Sequence, residues 1–216
     1  MSDTPGHVIA IVGAESTGKT TLARQLAAAW ATEGRRVAHV DEALREFCLQ
    51  RGRTPRADEQ AGIARMQSQR IEQAARTHEL VVADTTALMV AIYSQLLFDD
   101  RSLLGAALAD QAGYRVTLLT ALDLPWVADG FIRDGEHVRA PVDALLRDAL
   151  HGAGVTYAVV SGSGEQRLRN AQRAVAAALR TPSAGTARWR HVCAACGDPD
   201  CERHLLRNRG GSIAAS

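Results

Sequence analysis

The sequence predicts an α/β fold: a parallel five-stranded sheet flanked by helices, followed by a short cysteine-rich tail. Three observations predict it. Apolar runs alternate with helical stretches from residue 7 to residue 179, and such alternation builds a parallel sheet between two helical layers. The first apolar run stops at Gly13-Ala14-Glu15-Ser16-Thr17-Gly18-Lys19-Thr20, a match to G-x-x-x-x-G-K-[ST]. Acidic or glycine-rich segments follow the apolar runs, which is where open parallel sheets bind ligands.

The elements follow in order. His7-Val8-Ile9-Ala10-Ile11-Val12 reads as a buried strand. Residues 21–32 read as a helix, with Leu22, Leu26 and Trp30 four apart on its buried side. Residues 36–40 form a second strand with Asp41 and Glu42 at its end, and helix resumes over 43–50. Asp58 is placed to cap a long helix reaching about residue 77, with Ile63, Met66 and Ile71 on its apolar side. Leu80-Val81-Val82-Ala83-Asp84 is a third strand ending in a carboxylate. Helices over 87–97 and 101–112 lead to a fourth strand at 114–119. Residues 123–140 are polar and irregular, and Pro141 suits the first turn of a helix reaching residue 150. A fifth strand at 157–160, the loop Ser161-Gly162-Ser163-Gly164 and a helix over 165–179 complete the domain, residues 1–180. Leu168, Ala171, Val175 and Leu179 share a face of that last helix. Residues 181–188 read as a linker, 189–208 as a Cys/His module and 209–216 as a flexible tail.

Bulk properties bound the function. The chain has 216 residues, 46% hydrophobic and only 4% aromatic, so its core is built from Ala, Leu and Val. A net charge of +1 gives no reason to expect nucleic acid or an acidic membrane as partner. No apolar run approaches the ~20 residues that span a bilayer, and residues 1–6 lack a signal-peptide core, so a cytoplasmic location is expected.

The glycine-rich motif is a phosphate-binding loop, or P-loop. Its backbone N–H groups close on phosphate oxygens, Lys19 adds a point charge, Thr20 offers its hydroxyl to Mg²⁺, and Thr21 continues into a helix whose positive end faces the anion. ATP and Mg²⁺ are the cofactors this implies. Asp84 suits the metal or its water, with a helix N-cap as the alternative. Glu42, or its neighbour Asp41, suits the removal of a proton from an acceptor hydroxyl, with an exposed surface acid as the alternative. Arg133 and Arg139, in the irregular segment, suit a closing lid that neutralises charge, against a plain solvated loop. Trp126 suits stacking on an aromatic ligand, or simple packing.

Together the phosphate loop, Glu42-x-x-Arg45-Glu46, Asp84-Thr85, Asp123-x-Pro125-Trp126-x-x-Asp129-Gly130 and Ser161-Gly162 followed by Arg167 resemble the ribosylnicotinamide kinase domain of NadR-type proteins. The resemblance covers about residues 8–179. It implies phosphoryl transfer from ATP to the 5′-hydroxyl of nicotinamide riboside, with Arg45, Trp126 and Asp129 near the substrate and Arg167 bordering adenine. One residue more than the family's usual spacing separates Asp129-Gly130 from Arg133, and no H-x-G-H motif is present. A P-loop ATPase acting as a regulatory or assembly switch is the other reading.

Cys193-x-x-Cys196 and Cys201-x-x-His204 supply two chelating pairs that suit a closed tetrahedral Zn²⁺ site, which makes the tail zinc-knuckle-like and open to a protein partner. Free or redox-active thiols are the alternative. Cys48 reads as a small buried apolar residue.

Overall fold

The computed structural model describes residues 5–127 and 135–180. The chain divides into two units, Met1–Thr181 and Pro182–Ser216, and the second lies outside the described residues. Cys193, Cys196, Cys201, His204, Asp129 and Arg133 fall outside them too. Among the described residues, no cluster of three or more His, Cys, Asp or Glu is placed to hold a metal, and no helix is long and apolar enough to cross a membrane.

Five strands, β1 (His7–Val12), β2 (Val37–Val40), β3 (Leu80–Asp84), β4 (Val116–Thr120) and β5 (Ala158–Val160), pair in parallel in the order β2-β3-β1-β4-β5. Among the described residues, seven helices connect and follow them: α1 (Lys19–Thr32), α2 (Ala43–Arg51), α3 (Ala57–Thr77), α4 (Ala87–Phe98), α5 (Leu104–Gly113), α6 (Arg139–Gly152) and α7 (Gly164–Arg180). A 3₁₀ turn, Glu136–Val138, leads into α6.

Both sheet faces are covered, which is why the strands are apolar on alternate and intervening positions alike. Ile9, Ile11, Leu80, Val82 and Leu118 pack against Leu22, Leu26 and Trp30 of α1 and Ala171 and Val175 of α7. Val12 and Leu119 pack on the opposite side with α4 and with Val142, Leu146 and Leu150 of α6. Leu26 is fully buried in the first layer. Its truncation to alanine costs about 2–5 kcal/mol.

Two local expectations are corrected. Asp58 does not cap α3: the N-cap position is Arg56, and the Glu59 carboxylate accepts the Arg56 N–H at 2.8 Å. Glu59 also takes two 2.7 Å bonds from Arg53, and these contacts hold its carboxyl down at about 2. A carboxylate three residues into the helix thus replaces a capping side chain at its start. Met66 is 42% exposed, whereas Ile63 and Ile71 are buried, because the buried stripe of α3 follows residues 60, 63, 64, 67 and 71.

The strand order positions the site. β1 lies between β3 and β4, so the loop after Val12 is flanked by the ends of both. Ile11 is in register with Asp84, and Val40 with Ala83. Residues 13, 42 and 84, remote in sequence, therefore emerge at one edge.

Candidate active site

The loop after β1 turns on glycine. Gly13 has φ +147°, and a Cβ there would sit 2.1 Å from Thr120 Oγ1, so no other residue fits. Gly18 has φ +77° and is the N-cap of α1, with no side chain bonded to the first-turn N–H groups and no acidic residue in that turn. The helix start is left to an anion. Beneath the loop, the buried Thr17 hydroxyl donates to Ala14 O at 2.7 Å and pairs with Thr120 Oγ1 at 2.7 Å. Thr120 has one proton to give, to Thr17 Oγ1 or to Val12 O at 3.2 Å. Lys19 Nζ donates to Ala14 O at 2.8 Å.

Arg167 locks this arrangement. It is 4% exposed and donates to Thr17 O at 2.8 Å, Gly162 O at 2.7 Å and Asp123 Oδ1 at 2.8 Å. Asp123 Oδ2 in turn accepts the Gly162 N–H at 2.5 Å. Partial burial pushes the Asp123 carboxyl up, but the Arg167 and Gly162 hydrogen bonds outweigh it and hold the group below its usual range. The loops after β1, β4 and β5 are thereby riveted together. The resemblance sets Arg167 beside adenine. Its guanidinium is committed to carbonyls and a carboxylate, so what it offers a nucleotide is a fixed loop.

The acidic side is built differently. Asp84 is the last residue of β3, 1% exposed, and its Oδ1 has no hydrogen-bond partner. The N-cap of α4 is Thr86, two residues on, so the capping role open to Asp84 falls elsewhere. Thr85 between them holds φ +69°, a costly conformation for a β-branched residue, and its N–H bonds Ile11 O at 3.1 Å. Thr86 Oγ1 donates to Gln111 Oε1 at 2.7 Å, and Gln111 Nε2 to Thr117 Oγ1 at 2.8 Å, closing a buried polar chain under the turn. A divalent cation fits the donor set here: a buried carboxylate oxygen without a partner, and the Thr20 hydroxyl on the wall of the adjoining cleft.

Glu42 occupies the N-cap position of α2, its side chain 20% exposed and 3.7 Å from Arg45. Burial raises its carboxyl above the ordinary value; Lys19 and Arg45 pull it down and Asp84 pushes it up. Gln67, 1% exposed on α3, ties this helix to β3: its Oε1 accepts the Ala43 N–H at 2.7 Å and its Nε2 donates to Thr85 O at 3.4 Å.

A cleft of about 740 Å³ runs from the phosphate loop past Glu42 and Arg45. Its lining also includes Met89, Tyr93, Leu97 and Phe98 of α4, Gln60 of α3 and Arg56. Glu15, Ser16, Thr17, Thr20 and Thr21 also border it. Trp126 does not. It lies in the segment after β4 that crosses the phosphate loop, where the Val127 N–H donates to Ser16 Oγ at 2.8 Å and Leu124 Cδ1 closes on Gly18. Arg139, 6% exposed at the start of α6, donates to Leu124 O at 2.8 Å and so anchors the root of that segment.

Sequence reasoning missed Thr120, Gln60 and Gln67. Thr120 carried a signal, a polar residue closing an apolar strand beside the loop. Gln60 and Gln67 carried one as well, being seven apart on the same stripe as Ile63 and Ile71.

The fold has known counterparts. A crystal structure of NadR protein in complex with NAD and AMP-PNP matches with a TM-score of 0.64 at 19% identity, over 85% of this chain and 52% of that one. A structure of NadR protein in complex with NR matches with a TM-score of 0.61 at 20% identity, over 85% and 53%. The likeness is one of fold, and the chain spans about half the length of those NadR chains. No curated protein matches the chain. The family model of the AAA domain matches residues 8–167, most of the molecule, and the chain belongs to that AAA-domain family.

Proposed function

We propose that the protein is an ATP-dependent small-molecule kinase that phosphorylates the 5′-hydroxyl of a nucleoside, nicotinamide riboside first among them. The observation that carries the reading is the continuity of the cleft. It joins Lys19 and Thr20 to Glu42 and then to an apolar wall large enough for an acceptor, which hydrolysis by water does not need. The sequence resemblance to NadR-type kinases and the fold shared with NadR protein in complex with NR support the choice of acceptor.

In this reading, the N–H groups of the phosphate loop and Lys19 hold the β- and γ-phosphates. Thr20 and Asp84 would hold Mg²⁺, and the ion would supply positive charge to the phosphate oxygens. Glu42 accepts the proton of the acceptor hydroxyl as its oxygen forms a bond to the γ-phosphorus and the bond from that phosphorus to the β–γ bridging oxygen breaks. A raised carboxyl suits this task, because a base nearer neutrality binds the proton more firmly. Arg133, Asp129 and Trp126 remain lid and substrate candidates on the resemblance.

The test is ADP release with and without nicotinamide riboside. Stimulation by the riboside, with a phosphorylated product, is expected. Release of ADP at one rate whatever nucleoside is added would support the other reading, an ATPase switch working through the cysteine-rich tail. The zinc assignment for Cys193, Cys196, Cys201 and His204 rests on spacing. One zinc per chain under reducing conditions is its expected outcome.

A further inference from the structure

Gln60 and Gln67 face the same side of α3 and are equally buried, at 2% and 1% exposure. Gln67 has both ends of its amide engaged, by Ala43 N–H and Thr85 O. Gln60 does not: its Oε1 is buried with no hydrogen-bond partner. A buried, unpaired amide is destabilising, and an apolar residue would be the cheaper occupant of a stripe it shares with Ile63 and Ala64. Gln60 is also a wall of the cleft. The same cleft is lined by Met89, Tyr93, Leu97 and Phe98 of α4, which provide apolar surface, Phe98 still 39% exposed, and by the cations Arg45 and Arg56. One unpaired amide oxygen in a cleft with this much apolar lining suits a planar ring that carries a polar substituent.

We propose that the Gln60 carboxamide hydrogen-bonds the ring substituent of the acceptor, so that the cleft selects a carboxamide-bearing nucleoside over its carboxylate analogue. This deepens the kinase reading and rests on it. A carboxamide supplies both an N–H donor and a C=O acceptor, so it pairs with a glutamine amide turned either way. A carboxylate supplies acceptors alone. It leaves Gln60 Oε1 unpaired. Sites built to pair a polar group discriminate strongly against a ligand that lacks it.

The test compares the full chain with Gln60→Met, which keeps length and removes hydrogen bonding. Initial rates are measured with nicotinamide riboside, with nicotinic acid riboside and with varied ATP. The expected result is a KM for nicotinamide riboside raised at least tenfold, with the KM for ATP within twofold. The preference between the two ribosides, more than tenfold in the unaltered chain, collapses toward unity. The melting temperature without ligand stays level or rises, because an unpaired buried amide has gone. An unchanged KM or an unchanged preference in Gln60→Met overturns the assignment while the kinase reading stands. A lower melting temperature with ATP and acceptor affinity falling together marks Gln60 as structural and overturns it as well. Failure of the unaltered chain to phosphorylate either riboside overturns both readings at once.

Discussion

The two walls of the cleft contrast in how their polar groups are satisfied. On the nucleotide wall, Thr17, Thr120, Asp123 and Arg167 close a hydrogen-bonded set within the protein. On the acceptor wall, Gln60 Oε1 is buried without a partner; so are Asp84 Oδ1, at the end of β3 beside the phosphate loop, and the Arg167 Nε of the first set. The difference teaches that internal bonds tie the loops of one wall together, while the other carries a buried amide oxygen that nothing in the protein pairs. On the proposed reading, the first is a scaffold for a phosphate chain that is the same in every turnover. The second bears the cost of recognition in advance.

The contrast is open to experiment. Lys19→Ala removes the charge that meets the phosphates, and a loss on the order of 10³-fold in kcat is expected with an unchanged circular dichroism spectrum. Retained activity would move the chemistry away from the nucleotide wall. Glu42→Gln should lower kcat by about 10²–10³-fold while leaving ATP affinity intact, measured by nucleotide titration.

The raised Glu42 carboxyl also sets a pH dependence. The base works only when deprotonated, so the acid limb of kcat/KM should lie above the ordinary value of 4.5. Arg45 lowers this carboxyl's pKa, so Arg45→Met should carry the limb to still higher pH. A limb that stays in place would separate Glu42 from the proton. For stability the sign is opposite to that of a paired carboxylate. A raised group favours the protonated fold, so Glu42 costs stability progressively as pH rises from its unfolded value through its folded one.

Arg167→Ala should strike the nucleotide wall through stability. It leaves the Thr17 and Gly162 carbonyls and Asp123 without their partner, for a loss of about 3 kcal/mol and a fall in melting temperature on the order of 10 °C. Gln67→Leu is the mildest. It frees α2 from Thr85, and a decrease in kcat of about tenfold with little change in KM for ATP is expected from a displaced base.

The nucleotide wall was the more legible in sequence, and the reason is local. Its glycines, Lys19 and Thr20 sit in one eight-residue string whose spacing has a physical meaning by itself. The central strands β3, β1 and β4 were equally readable, because a strand buried on both faces is a continuous apolar run; the edge strands β2 and β5 are only partly buried. Asp84 was recognisable as a carboxylate at a strand end, yet its choice between metal and cap turned on where α4 begins. Arg167 read as a ligand contact because its partners lie up to 150 residues away and only the strand order brings them together. Trp126 and Arg139 read as lid residues, since nothing local announces that Leu124 O and Ser16 Oγ will anchor that segment. Gln60 and Gln67 are glutamines on a long helix, a position that solvent usually occupies, and only their seven-residue spacing betrays the buried stripe.

The Arg167 rivet has a consequence in time. The phosphate loop leaves the ribosome first, and its clamp follows 150 residues later, on the last helix of the sheet domain. At ~5–20 residues per second, the growing chain carries its nucleotide motif for roughly ten seconds or more before α7 can close on it. On the proposed reading, a phosphate loop fixed by Arg167 exists only once the domain is complete, so ATP would stabilise finished chains over partial ones.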